Sequence, residues 1–326
     1  MNEMVFYVYM SPDVISDANS GGRYAMQTLI GILHGFMQNC FIAEFEDNRM
    51  QKKVFGHVNE MPFSDAKKKI MTLLGELKKR RHFICSLIPD YAIENINISS
   101  VNDQADDALL DFLLVGENEI PQIRWKVEAG SLSSYSQSSF ASKRSSLAGN
   151  GRILQDGELD QDTFLDEVFK KAFIYTTRIE ICDRIFGSKF NDNFEYTFSK
   201  LFTWLKNNLI EPNRFERIII HCEKPNGYTD EHMKERLALL KSEKWSNMKI
   251  EIRFYHREES GKPIPALPHD RFIITDQMAF NIGRGMDFLN RHTKKNRDIS
   301  INYSKPEEIL DSISKYSQWM LEPVVI

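Results

Sequence analysis

Residues 4–10, MVFYVYM, are an unbroken apolar run of strand length, which predicts a strand buried on both faces. The period then changes. Residues 16–38 open with the cap and turn residues SDANSGGR. They then set Met26, Leu29, Ile30, Leu33 and Phe36 on one face at helical spacing, predicting an amphipathic helix. CFIAEFED at 40–47 alternates and predicts a strand. At 64–81, Ser64 and Asp65 stand at a cap position and the last turn is basic, as a helix carboxyl end favours. HFICSLI at 82–88 predicts a further strand, and DQADDALLDFLLVGE at 103–117 a further helix. Residues 1–125 therefore form an α/β or α+β domain whose topology the pattern leaves open.

The pattern breaks at residues 131–146, SLSSYSQSSFASKRSS, where nine of sixteen residues are serine. Such a run favours neither a core nor a helix. It predicts a Ser-rich linker or loop over 126–160, with a hydroxyl-rich, basic phosphate-ordered segment (Lys143, Arg144) as the alternative. AGNGRILQDGELD continues that loop character.

From residue 161 the periodicity returns. Helices are predicted at 161–172, 195–209, 229–245 and 305–321, the last with Pro306 in its first turn. Strands are predicted for RIEICD, FERIIIHCE, MKIEIRFYH, RFIITD, MAFNIG and RDISINY. The order βαβαββββα over 161–326 is that of a mixed sheet flanked by helices.

Length fits this division, since 326 residues suit two domains. A net charge of −4 argues against a surface coated for non-specific nucleic-acid binding, but leaves room for a local basic cleft. Cys40, Cys85, Cys182 and Cys222 are scattered and form no C-x-x-C pair, so no zinc site is expected and a reducing, cytoplasmic setting is. No apolar run reaches membrane-spanning length.

The chemistry concentrates at residues 265–290, PALPHDRFIITDQMAFNIGRGMDFLN. Period-two geometry predicts His269 and Arg271 on one face of a strand, able to touch one phosphate. Asp276 lies an odd number of residues away and faces the other side unless a bulge turns it. Gly283 and Gly285 permit close backbone approach, and Arg284 between them is a second candidate phosphate ligand. The basic loop RHTKKNRD, with His292, Lys294, Lys295 and Arg297, follows directly and is a candidate for tracking a nucleic-acid backbone. Lys224 ends a predicted strand and is a further candidate. A rival reading makes His269, Asp270 and Arg271 a structural network with Asp183 or Asp287.

Elsewhere the plainer readings are preferred. His221 follows a buried run and reads as a core histidine, and His256 as an exposed strand end. Asp103, Asp106 and Asp107, near Glu117 and Glu119, suit capping of a helix start better than Mg²⁺ binding. NSGGR at 19–23 lacks the G-x-x-x-x-G-K-[ST] spacing and reads as a turn leading into a helix.

His269, Arg271, Asp276 and Gly283 follow the spacing H-x-K-x4-D-x6-G of the phospholipase D superfamily, with Arg271 in place of Lys. The stretch HDRFIITDQMAFNIGRGMDF more closely resembles the HDR…IGRG pattern of the phospholipase-D-like C-terminal domain of some MIT-domain proteins. TRIEICDRIF resembles that domain's upstream acidic strand, with Asp183 in the acidic position and Arg184 and Ile185 replacing Pro and Tyr. The resemblance spans roughly 165 residues, 161–326; the amino-terminal region does not look like an MIT hairpin.

The resemblance implies a phospholipase-D-like fold. It also implies metal-independent phosphodiester chemistry, with a His nucleophile, a second His as acid and basic groups on the phosphoryl oxygens. Catalytic roles fall on His269, Arg271 and Asp276, and phosphate binding on Arg284, Gly283, Gly285, Lys224, Lys294 and Lys295, without metal or cofactor. Only one motif is present, so a homodimer would be needed to bring two His269 side chains together. The leading expectation is a nuclease acting on DNA or RNA, compatible with defence against foreign nucleic acid. The MIT-linked domains are regarded as non-hydrolytic binders of phospholipid or protein. The alternative is therefore a non-catalytic phosphate-binding module for nucleic acid, phospholipid or a protein partner. The amino-terminal domain would then sense, bind a protein partner or position substrate.

Overall fold

In the computed structural model the described residues are 3–45, 47–84, 98–120, 124–224, 231–256, 258–259, 262–263 and 267–326. The chain divides into two compact units, Val5–Gly149 and Met1–Met4 with Asn150–Ile326. Each is a helix-flanked sheet.

In the first unit, β1 (Phe6–Met10) runs into α1 (Asp13–Ser20) and α2 (Gly22–Asn39), then β2 (Cys40–Ala43). Then come α3 (Arg49–Glu60), α4 (Asp65–Lys79), β3 (Phe83–Ile84), α5 (Ile98–Asp103), β4 (Phe112–Leu114), β5 (Ala129–Gly130) and α6 (Ser139–Asn150). The five strands are all parallel, in the order β3-β2-β1-β4-β5. Every residue of β1 is buried, as its unbroken apolar run predicts. Ser64 caps α4 by accepting from the Lys67 amide.

Two expectations fail in this unit. The segment 103–117 is not a helix: α5 ends at Asp103, and Phe112–Leu114 form a fully buried strand beside β1. Three apolar residues in a row fit either element, and the partner strand decides. The Ser-rich run is not a linker either. Serines turn the chain after β5, where the Ser131 amide donates to Ser134 Oγ, and the Ser138 hydroxyl accepts from the Ala141 amide at the start of α6. Phe140 stacks on Phe112 at 4.6 Å, and Arg144 lies buried with Nη1 donating to the Gly35 carbonyl. Arg144 is thus a structural residue. Residues 152–154, read as loop, form an edge strand of the second unit.

In that second unit, β6 (Arg152–Leu154) precedes a helix that starts as α7 (Gln161–Phe164), passes through a π turn and ends as α8 (Lys170–Phe173). Then follow β7 (Arg178–Cys182), α9 (Phe186–Lys189), α10 (Asp192–Asn208), β8 (Arg217–Glu223), α11 (Glu231–Lys244) and β9 (Ile250–Tyr255). A short hairpin, β10 (Glu258–Glu259) and β11 (Lys262–Pro263), leads to β12 (Phe272–Thr275) and β13 (Ala279–Ile282). A second hairpin, β14 (Leu289–Asn290) with β15 (Lys295–Asn296), precedes β16 (Ile299–Ser304), α12 (Pro306–Ser314) and β17 (Val324–Val325). The eight-stranded sheet has the order β17-β9-β8-β7-β12-β13-β16-β6. Its β7, β8 and β9 are parallel, and β12 returns antiparallel beside β7.

One sheet face packs α12, through Cys182, Ile274, Ala279, Ile309 and Ile313. Strand alternation sends Ile181 and Ile273 to the other face. The predicted Thr229–Asp230 helix start and Cys85 lie outside the described residues; Cys40, Cys182 and Cys222 are buried thiols. Among the described residues no helix is long and apolar enough to cross a membrane.

Candidate phosphate-binding site

The antiparallel register Phe272↔Cys182 brings the start of β12 to the carboxyl ends of β7 and β8, the edge where open α/β sheets carry their sites. Continuing that register sets Arg271 opposite Asp183, on the face away from α12. Arg271 Nε lies 3.5 Å from Asp183 Oδ1, and Nη1 donates to the Gly283 carbonyl at 2.8 Å. Asp183 is fully buried. It accepts from the Ile185 amide at 3.2 Å and from the Met286 amide at 3.4 Å. Burial pushes its carboxyl above the ordinary range, and the Arg271 charge only partly offsets this. One carboxylate thus joins the end of β7, the chain entering α9 and the Gly-Arg-Gly corner.

Gly285 explains that corner. Its φ is +73°, and a Cβ there would lie 2.2 Å from Asp183 Oδ2 and 2.3 Å from Arg271 Cδ. At Gly283 a Cβ would meet Ser300 Oγ at 2.3 Å. The glycines let the corner close onto the ion pair and onto β16.

Arg284 points away from that pair. Its Nη2 donates to Asp298 Oδ1 at 2.5 Å and its Nε to the Asp298 carbonyl at 3.1 Å, with Asp287 Oδ2 3.7 Å from Nη1. Asp287 is held in turn by Arg297 Nη1, at 2.7 and 2.9 Å. The hydrogen bond from Arg284 holds the Asp298 carboxyl below its ordinary value. Arg271 and Arg284 both line a cleft of about 650 Å³, with Asp287, Asp298, Ser300 and Gly283.

His269 is exposed, sits in the bend before β12 and is not among the residues lining that cleft. It makes no hydrogen bond among the described residues. The expectation that His269 and Arg271 share a strand face is corrected: regular pairing begins only at Phe272, so no pleat fixes the two side chains together. Asp270 lines a different cleft of about 520 Å³, with Phe272 and Lys305.

Asp276 is at the far end of the strand, about 17 Å from Arg271 at roughly 3.4 Å per residue. It accepts from the Thr176 hydroxyl at 2.5 Å and the Thr177 hydroxyl at 3.2 Å, just ahead of β7. These bonds tie two strand ends together, and Asp276, expected to take part in catalysis, is not among the residues lining the arginine cleft.

The remaining candidates disperse. Lys224 follows β8, and its amide donates to the Tyr255 carbonyl. Lys294 is exposed with φ +55°, and Lys295 Nζ reaches the Gly157 carbonyl at 3.2 Å. None of the three lines the arginine cleft. In the same loop Arg291 is paired with Asp192. His221 is buried, with Nε2 3.0 Å from Glu180 Oε2 and Nδ1 3.0 Å from the Tyr255 hydroxyl. Burial pushes that phenol up to about 12, so it stays protonated at neutral pH.

Of the Arg271 cluster, sequence reasoning finds Arg271, Arg284 and the glycines, and names Asp183 and Asp287 as structural partners. It does not single out Asp298, which is marked only by its place ahead of a strand. No protein-family model matches this chain, and no curated protein matches it in sequence.

Proposed function

We propose that the second unit binds phosphodiester groups of nucleic acid in the arginine cleft and does not hydrolyse them. The observation that carries this reading is that Arg271 and Arg284 line one cleft while His269 does not. The resemblance of HDR…IGRG to phosphate-recognising domains gives the ligand class. The chemistry is an exchange of partners. Arg284 is held by Asp298, whose side chain is 68% exposed. An exposed ion pair of that kind contributes about 0–1 kcal/mol and opens readily. A phosphate replacing the carboxylate accepts two charge-assisted hydrogen bonds from one guanidinium. Arg271, locked by Asp183 and the Gly283 carbonyl, supplies fixed positive charge beside it.

One observation favours hydrolysis as a second reading: His269 is exposed, so a two-fold axis could set it against its copy across one phosphate. Incubating labelled single-stranded DNA with the protein in EDTA separates the two. Retained, salt-sensitive binding with intact DNA supports binding. Cleavage that survives EDTA and is lost in His269→Ala would overturn it in favour of the enzyme.

A further inference from the structure

The first unit holds a second cavity, independent of the arginine cleft. In the order β3-β2-β1-β4-β5 the chain leaves β1 toward one edge of the sheet and β4 toward the other. A crevice opens outside the carboxyl ends where such connections diverge, and this is where open parallel sheets take ligands. Here α1 and α2 follow β1, residues 115–119 follow β4 and residues 131–134 follow β5. Between them lies a cavity of about 360 Å³, lined by Asp17, Tyr24, Thr28, Glu117, Leu132 and Ser133 among others. That volume suits a small organic ligand.

We infer that this cavity binds an uncharged, hydroxylated ring compound of nucleoside type. Tyr24 is 84% exposed on α2, so its ring offers an unoccupied stacking face beside a buried apolar wall at Leu132. The carboxylates are fixed by backbone donors. Asp17 Oδ2 accepts from the Glu117 amide at 2.8 Å, and Glu117 Oε1 accepts from the Ser133 amide at 3.1 Å. Asp17 has a second oxygen, and the Glu117 carboxylate, which also accepts from the Ser131 and Ser133 hydroxyls, keeps further lone pairs; two carboxylates beside an aromatic face suit a ribose diol, which donates two hydroxyl protons. Anionic ligands are disfavoured. Among the described residues no Lys or Arg lines the cavity. Asp13, Asp17 and Glu119 share the same edge, and Glu119 is raised by burial and by the charges of Asp13 and Asp17. The sheet order suits a nucleotide, but the charge at the crevice rejects its phosphates.

The test is calorimetric titration of the full chain with adenosine, guanosine, cytidine and uridine, and with adenosine monophosphate. At least one nucleoside binds, and the monophosphate binds more weakly than adenosine. Tyr24→Ala, at an exposed position that leaves folding intact, weakens the nucleoside about tenfold, the size of one lost base–aromatic stack. Glu117→Gln weakens it as well. Arg284→Ala leaves it unchanged, which separates this site from the arginine cleft. No binding by any of the four at millimolar concentration overturns the inference, as does tighter binding of the monophosphate or binding indifferent to Tyr24→Ala.

Discussion

Arg271 faces Asp183 across the junction of β12 and β7, with Nε 3.5 Å from Oδ1, and the buried carboxylate also carries the amides of Ile185 and Met286. Three chain segments meet on this one acid. Asp183→Ala leaves two amides without their acceptor and the Arg271 guanidinium without its counter-charge. We expect a loss of about 2–3 kcal/mol in urea unfolding, at the low end for a broken buried pair because Arg271 keeps some access to water. Asp183→Asn keeps an acceptor oxygen and should cost less than half as much.

Gly285→Ala is expected to be more damaging than its size suggests. The position needs φ +73° and has no room, with the new Cβ 2.2 Å from Asp183 Oδ2. Gly157 supplies the control, because its φ is +76° but a Cβ there would lie 3.6 Å from the nearest atom. Gly157→Ala should cost about 1 kcal/mol, from backbone strain alone. Gly285→Ala should cost about 2 kcal/mol or more, read as the difference in unfolding midpoint.

Much of this was legible in the chain. Apolar runs gave most strands of both sheets, because a strand buried on both faces needs no partner to be recognised. Capping residues such as Ser64 marked helix starts. The Gly-Arg-Gly corner and both arginines stood out by residue type. What failed was decided by tertiary contacts. Phe112–Leu114 is a strand because β1 offers a free edge, and the serine run orders because Phe140 stacks on Phe112 and Arg144 finds the Gly35 carbonyl. His269 fell off the expected face because β12 begins three residues later. The cleft at Arg284 depends on Asp298, fourteen residues away in sequence, a pairing that the β13–β16 register sets and no local pattern announces.

Glu180 makes stability depend on pH in a definite direction. Burial pushes its carboxyl up, but the hydrogen bond and charge of His221, with Arg178 and Arg253, more than offset this and hold it below its ordinary 4.5. A depressed carboxylate contributes stability that is complete above the unfolded value and is lost as pH falls through the folded one. The stability gap between the native chain and Glu180→Gln should therefore be constant at neutral pH and shrink as pH falls below 4.5. Urea midpoints taken across that range check it; a gap that widens on acidification would reverse the sign.

If Arg284 exchanges Asp298 for a phosphate, the affinity for labelled single-stranded DNA at fixed salt must respond to substitution of either partner. Asp298 is exposed, so Asp298→Asn should leave folding intact and remove the competing charge. Asp298→Asn should bind several-fold more tightly than the native chain, and Arg284→Ala more weakly with a salt slope reduced by about one. Unchanged affinity in both variants, or weaker binding in Asp298→Asn, would contradict it.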